Sequence, residues 1–405
     1  MNRKPLPCQL GMAGVNFKHL RADLCYRSIK GTATEHKTFD DIVQDPILCE
    51  QRKQLLNGEF PEGCYDCKFM EEQGFRSYRL THKLNDHTDD WFLNNVDKNT
   101  GKVTKLFRIE FRFSNRCNFA CRHCSVDYST SWQKIARNNP EILSFPDLST
   151  TVPEESFVNK IDISGIGKWI DKLDSNEDME IEITGGEPFF QPEFYEYLKT
   201  LSKWGKKIRL IITTNGSIAG KFKSYNVTDL LMPFKKVDLK VSMDGSKSFY
   251  NYFREGGDWD KVIDNVISID DACENVTLHP VVTVSHHQGA RLSEIYEDFL
   301  KYFGEPTLFN AGEVLHPESM NLVHMPRPLK DRYLNDWLSY KEKLYDPANW
   351  ADRVGDFSVK MFKSKDGDPK QWENFCRYTD ALDKIHKKNV FDYFPEWEEF
   401  WHKSS

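Results

Sequence analysis

The 405-residue sequence predicts an α/β fold: a partial (β/α)6 barrel of the TIM-like kind, with a cysteine-rich module before it and a helical extension after it. Two observations carry this expectation. From about residue 106, short strand-like runs alternate with helix-length segments, the order that parallel βαβ units require. There are six such runs, too few for a closed eightfold barrel. The expected boundaries are 1–100 for the cysteine-rich module and linker, 101–320 for the barrel and 321–405 for the extension.

The first strand is Phe107–Phe113, where apolar and charged residues alternate with period two. Met179–Thr184 repeats the pattern, and the helix Glu193–Trp204 follows with Pro192 at its start. Ile208–Thr214 and Val237–Met243 are the third and fourth strands, and a helix is expected near Trp259–Asp270. Val276–Val284 and Thr307–Val314 complete the set. Upstream, Asp45–Leu56 reads as a helix and the polar stretch Asn85–Gly101 as a linker. Between the first two strands, Ile135–Ser164 is a proline-bearing insert that suits a lid or a partner surface. Past residue 320, segments rich in Trp, Lys and Asp are expected to form helices packed on the barrel.

Composition narrows the class. With 39% hydrophobic and 29% charged residues, the chain reads as soluble and globular. The 28 Phe and 10 Trp are expected to serve core and lid packing before any aromatic binding platform. The first residues carry charge with no apolar stretch behind them, and no run approaches a membrane span, so a cytoplasmic location with no membrane partner is expected. A net charge of −7 without a basic stripe argues against strong nucleic-acid binding. Gly165-Ile166-Gly167 is too short to count as a dinucleotide-binding fingerprint.

In a reducing compartment, clustered cysteines are more often metal ligands or catalytic groups than disulfides. Ten are present: Cys8, Cys25, Cys49, Cys64 and Cys67, then Cys117, Cys121 and Cys124, then Cys273 and Cys376. Cys117-Asn118-Phe119-Ala120-Cys121-Arg122-His123-Cys124 places three thiolates at C-x3-C-x2-C spacing directly after the first strand. Such soft anionic donors suit an iron–sulfur cubane, and three ligands leave a fourth iron open. Zinc is the competing reading, but His123, adjacent to Cys124, is poorly placed to close a tetrahedron. Arg116 and Arg122 are expected to favour the thiolate forms.

The second strand ends in Gly185-Gly186-Glu187-Pro188, where glycines admit close backbone approach. The third ends in Thr213-Thr214-Asn215-Gly216 and the fourth in Ser242-Met243-Asp244-Gly245. Taken together over roughly residues 105–315, this resembles the radical S-adenosylmethionine (SAM) superfamily. The resemblance implies a [4Fe–4S] cluster on Cys117, Cys121 and Cys124, whose open iron chelates SAM. It also implies that Gly185, Gly186, Glu187 and Pro188 contact the SAM amino group and that Asn215 lies at the site. Ser242 would touch the SAM ribose or carboxylate, and Arg254 would pair with the carboxylate. His123 stands where the family usually has an aromatic residue. Reduction by an external one-electron donor, flavodoxin- or ferredoxin-like, would split SAM and give a 5′-deoxyadenosyl radical that takes hydrogen from a substrate.

Cys64-x2-Cys67, with Cys8 and Cys25 upstream, supplies four further thiols. Residues 5–80 resemble the auxiliary-cluster modules called SPASM or twitch, which implies a second, auxiliary [4Fe–4S] cluster. In many members that module follows the barrel, whereas here it precedes it. The same thiols also suit a zinc knuckle, or a module that has lost its metal. Cys49, Cys273 and Cys376 read as small buried hydrophobes. No residue stands out as a hydrogen donor or other catalytic group. The resemblance to auxiliary-cluster members implies a peptide as the leading substrate, to be oxidised or cross-linked, although no winged-helix docking domain is visible. The alternatives are a small molecule such as a nucleoside, sugar or amino acid, or a non-catalytic electron carrier. An intact Gly-Gly-Glu-Pro motif argues against the carrier, which has no need of SAM.

Overall fold

The computed structural model describes residues 8–401, apart from 73–76, 83, 85–87, 147, 150, 160–161, 305–309, 315 and 343–358. Its strands are β1 (Gly14–Lys18), β2 (Arg21–Asp23), β3 (Thr32–Ala33), β4 (Arg108–Arg112), β5 (Ala120–Cys121), β6 (Met179–Thr184) and β7 (Ile208–Thr214). They continue as β8 (Lys221–Phe222), β9 (Tyr225–Asn226), β10 (Lys236–Ser242), β11 (Arg254–Glu255), β12 (Val276–Val284) and β13 (Asn310–Glu313). Nine of them form one sheet in the order β13-β12-β10-β7-β6-β4-β1-β2-β3. From β13 to β1 every pairing is parallel, and β1, β2 and β3 pair antiparallel. The order is linear, so among the described residues the sheet is an open, partial barrel.

The six expected strands are β4, β6, β7, β10, β12 and β13, all but the last within a residue or two of their sequence limits. Of the sixth, residues 307–309 lie outside the described set. Period-two alternation explains the burial. Ile109, Phe111, Ile181, Ile183, Leu210, Ile212, Leu239 and Val241 point to the helical layer and are fully buried. There the helix Pro192–Leu201 sets Tyr197 edge-on to Phe111 at 5.2 Å and Phe194 to Phe113 at 5.3 Å. Helix Trp259–Ala272, capped by Asp258, packs Val262 and Val266 beside Val241. Each such side chain contributes about 1.5–3 kcal/mol on burial.

The other face is charged rather than apolar. Arg108 bridges Glu180 and Glu182, Lys240 reaches Glu182 at 2.6 Å, and His279 meets Asp238 at 2.8 Å. Glu110 stands 3.6 Å from Arg108. Burial pushes the Glu110 carboxyl up, and the Glu182 charge adds to the shift.

Two features differ from the sequence expectation. β1 joins the barrel sheet as a seventh parallel strand, pairing Val15 with Ile109 and Phe17 with Phe111 across the expected boundary at residue 100. The stretch 85–101 contains the helix Asp89–Asn94, whose Phe92 is fully buried beside Phe107. Its polar residues are caps: Thr88 accepts from Trp91 N, and the Asn95 amide donates to the carbonyls of Met12 and Lys105. The aromatic surplus is core, with Trp169, Trp259, Trp337, Trp372 and Trp397 all buried. The C-terminal segment forms helices Arg327–Lys341 and Pro369–His386. No described helix is long and apolar enough to cross a membrane.

Candidate functional site

Cys117, Cys121 and Cys124 lie on the loop that leaves β4 at its carboxyl end, where ligands of parallel βα folds collect. The start of helix Thr130–Asn138 pins the loop. Cys117 N donates to Thr130 Oγ1 at 3.2 Å, Thr130 and Ser131 hydroxyls donate to Cys117 O at 3.0 Å, and Trp132 Nε1 donates to Cys121 O at 2.8 Å. Burial pushes the Cys121 thiol up to about 11 and that of Cys124 to about 12, and raises Cys117 as well. Arg254 opposes the shift at Cys121 and Cys124, and Arg112 does so at Cys124. This corrects the expectation for Arg116 and Arg122. Arg116 turns away to Glu193 at 3.0 Å and Ser156 at 3.2 Å, while the Arg122 guanidinium stacks over Tyr252 and pairs with Asp383.

Gly185 and Gly186 lie against the same loop. A Cβ on Gly186 would sit 2.1 Å from Arg116 O, and one on Gly185, whose φ is +123°, 2.5 Å from Ser114 O. Gly186 N and Glu187 N donate at 2.7 Å to the carbonyls of Ser114 and Arg116. The close approach that demands glycine is therefore to the cysteine loop itself. Glu187 is fully buried, and its carboxylate accepts from Thr214 Oγ1 at 2.8 Å, Asn215 N at 2.6 Å and Phe189 N at 3.1 Å. It ties the end of β6 to the end of β7. Pro188 opens the turn Pro188–Phe190, in which Pro188 and Phe189 are buried. Asn215 Nδ2 donates to Asn118 Oδ1 at 2.9 Å and lies 3.9 Å from Cys117 Sγ.

Arg254 is opposite Cys121 in the ladder of β5 and β11 and pairs with Asp244, which is 1% exposed. Asp244 also accepts Thr283 N at 2.7 Å, and its carbonyl accepts Gln288 Nε2 at 2.8 Å. His123 stacks on Phe253 at 5.2 Å with its Nε2 3.9 Å from Asp244. Ser242 closes β10, half-buried, on the face that carries Lys240. The strand-end motifs and the cysteine loop thus converge at one edge of the sheet.

The N-terminal thiols form a second group. Cys8, Cys25, Cys64 and Cys67 line one cleft with Leu55, Phe60, Tyr78 and Arg79. Burial pushes the thiols of Cys8, Cys25 and Cys64 up to about 12, and neighbouring cysteines add to each shift. Among the described residues, no three His, Cys, Asp or Glu side chains are grouped to hold a single metal ion. Cys49, Cys273 and Cys376 are buried elsewhere.

A family model described as the Radical SAM superfamily matches residues 111–289. These residues match a radical SAM domain. The span runs from β4 through the cysteine loop and the strand ends to Gly289. Among curated proteins, the GTP 3′,8-cyclase of Campylobacter lari is 30% identical over 118 residues, 29% of this chain and 29% of that protein. The antilisterial bacteriocin subtilosin biosynthesis protein AlbA of Bacillus subtilis is 31% identical over 139 residues, 34% of this chain and 24% of that protein. The chain thus spans under a third of the length of these relatives. Among solved structures, anSMEcpe with bound AdoMet aligns at TM-score 0.41 and 18% identity, over 59% of each chain. SuiB of Streptococcus suis bound to S-adenosylmethionine aligns at 0.37 and 14%, over 72% of this chain and 64% of that one.

Two residues of the matched span escaped the sequence reading. Asp244 stands there only as part of the motif that closes the fourth strand, with no role assigned, yet it anchors Arg254; its position at a strand's carboxyl end was the available signal. Phe253 carries the His123 ring, and nothing in the sequence marks it.

Proposed function

We propose that the chain is a radical SAM enzyme that binds a [4Fe–4S] cluster through Cys117, Cys121 and Cys124, and SAM beside it. The observation that carries this reading is the backbone contact of Gly186 and Glu187 with the cysteine loop, which brings the thiols and the strand-end polar groups together. The donor set fits the group: three thiols on one pinned loop, with guanidinium charge behind Cys121. When bound and reduced, such a cluster supplies the electron that cleaves SAM. The chain's own part is placement. Gly185, Gly186, Glu187 and Pro188 shape the wall for the amino group, and Glu187 holds Asn215 at that wall. Arg254, Ser242 and His123 supply polar groups on the other side. An external flavodoxin- or ferredoxin-like protein delivers the electron.

The four N-terminal thiols hold an auxiliary [4Fe–4S] cluster in this reading, and the substrate is a peptide. Support comes from the shared cleft of Cys8, Cys25, Cys64 and Cys67 and from the likeness to a bacteriocin biosynthesis protein. The likeness to GTP 3′,8-cyclases favours a second reading, a nucleotide substrate. The domain division at 101–320 is kept as a functional unit, although the sheet extends beyond it.

Iron and sulfide analysis of anaerobically purified protein tests the clusters, against a variant with Cys117, Cys121 and Cys124 all changed to Ala. Two cubanes predict about eight irons in the wild type and about four in the variant. About four irons falling to none leaves one cluster and makes the N-terminal thiols a zinc site or empty. 5′-Deoxyadenosine should form with SAM and a reductant and disappear in Cys121→Ala. A wild type that takes up no iron after reconstitution overturns the reading.

A further inference from the structure

The helix Pro369–His386 grips the cysteine loop from outside the sheet. Arg122, between Cys121 and Cys124, is 2% exposed and held through its backbone and its side chain, with Nη1 the one side-chain nitrogen left without a hydrogen-bond partner among the described residues. Its amide donates to Phe253 O at 3.0 Å, its Nε donates to Tyr252 O at 3.0 Å, and its carbonyl accepts Tyr378 Oη at 3.2 Å. Its Nη2 pairs with Asp383, which also accepts Val390 N at 2.6 Å and Tyr252 Oη at 3.4 Å. Just past the helix, Lys388 donates to Asn251 O at 2.8 Å and Glu255 Oε2 at 2.6 Å. Glu255 is the rung opposite Ala120 in the ladder that also holds Cys121 and Arg254. The Arg122 side of the loop and the β11 side of its ladder are therefore both tied to this one helix and its end.

We infer that Asp383 is a positioning residue for the iron–sulfur loop, acting through Arg122, with Tyr378 as its second point of attachment. The inference rests on the reading of that loop proposed above. A buried ion pair adds little net stability, yet breaking it leaves an uncompensated charge, so the pair resists any displacement of the loop. Because Arg122 is bonded to Cys121 and is two residues from Cys124, movement of its backbone moves two of the three thiols.

The test compares Asp383→Asn and Tyr378→Phe with Glu396→Gln. The control breaks a partly buried ion pair that ties Glu396 of the C-terminal segment to Arg291 at 2.8 Å and does not touch the loop. Each protein is reconstituted to the same iron content and its reduced electron paramagnetic resonance spectrum is recorded with and without SAM. In Asp383→Asn and Tyr378→Phe the SAM-dependent g values should shift; SAM affinity should fall about tenfold in Asp383→Asn, the scale of a weakened charge-assisted hydrogen bond, and about fivefold in Tyr378→Phe, which loses a neutral one. Glu396→Gln should match the wild type. Should Asp383→Asn fail to fold, Tyr378→Phe decides. A wild-type spectrum left unmoved by the loop variants, or moved equally by the control, overturns the inference alone. Wild-type protein without a cluster defeats the proposed function itself.

Discussion

Cys121 and Arg254 face each other across a two-rung antiparallel ladder, and Arg254 continues to the carboxylate of Asp244. The middle thiol of the loop is thus backed by a guanidinium whose own position is fixed by a buried acid. Arg254→Gln leaves Asp244 buried without its cation. Iron content should be retained while SAM affinity falls about tenfold or more, equivalent to at least ~1.4 kcal/mol. Titrating SAM into the reduced protein and following its spectrum measures this, and unchanged affinity would remove Arg254 from the SAM site.

Gly186→Ala tests the contact between the strand end and the loop. Its new Cβ meets Arg116 O at 2.1 Å, a backbone atom that cannot rotate away. We expect the variant to stay folded and keep any iron on the N-terminal thiols while losing that of the loop. Iron analysis alongside circular dichroism distinguishes this from general unfolding.

Phe92→Ala asks whether residues 85–101 belong to the core. Phe92 is fully buried among Trp91 and Phe107, so truncation should cost about 3–5 kcal/mol. A true linker would give a change near zero. The urea midpoint of the metal-free protein reports which holds.

His286 is fully buried, its Nε2 2.9 Å from Ser319 O, and burial drives its pKa down to about 3. The unfolded chain therefore binds a proton that the folded one refuses. This stability is complete above about pH 6.5 and is lost as pH falls from there toward 3, by up to ~1.4 kcal/mol per pH unit. His286→Gln should flatten that part of the stability profile between pH 7.5 and 5, measured by urea unfolding. An unchanged slope would mean that the ring is protonated in the folded state.

The sequence made the six strands legible because alternation is a local property, and Ile109-Glu110-Phe111 or Ile181-Glu182-Ile183 carries it within a few residues. The cysteine loop was legible for the same reason. What stayed hidden was joined across long separations. β1 is only Gly14–Lys18, and its partner lies some ninety residues on, so nothing local marks it as a barrel strand. The helix Asp89–Asn94 hides in a polar stretch because its caps, Thr88 and Asn95, are polar, and Asp89 accepts from a distant partner, Gln9 Nε2, at 2.9 Å. Arg122 next to a cysteine looks like a cation for the thiol, yet its partner Asp383 is 261 residues away. Glu187 reads as a ligand residue because of its motif, but its carboxylate is used up on Thr214, Asn215 and Phe189.

The seventh parallel strand fixes a length. Cys8 lies just ahead of the helix that enters β1, and Cys25 follows β2, which runs back beside β1 to the same edge. The cysteine loop springs from the opposite edge, at the far end of β4, with Gly14 and Arg108 in register at the near end. Five residues of β4 at about 3.3 Å each put roughly 17 Å between the two thiol-bearing edges. The hydrogen-bond ladder works as a ruler for that distance. Repacking the surrounding helices would alter stability, while only an insertion or a slip of register in the strand would bring the two edges closer together or farther apart.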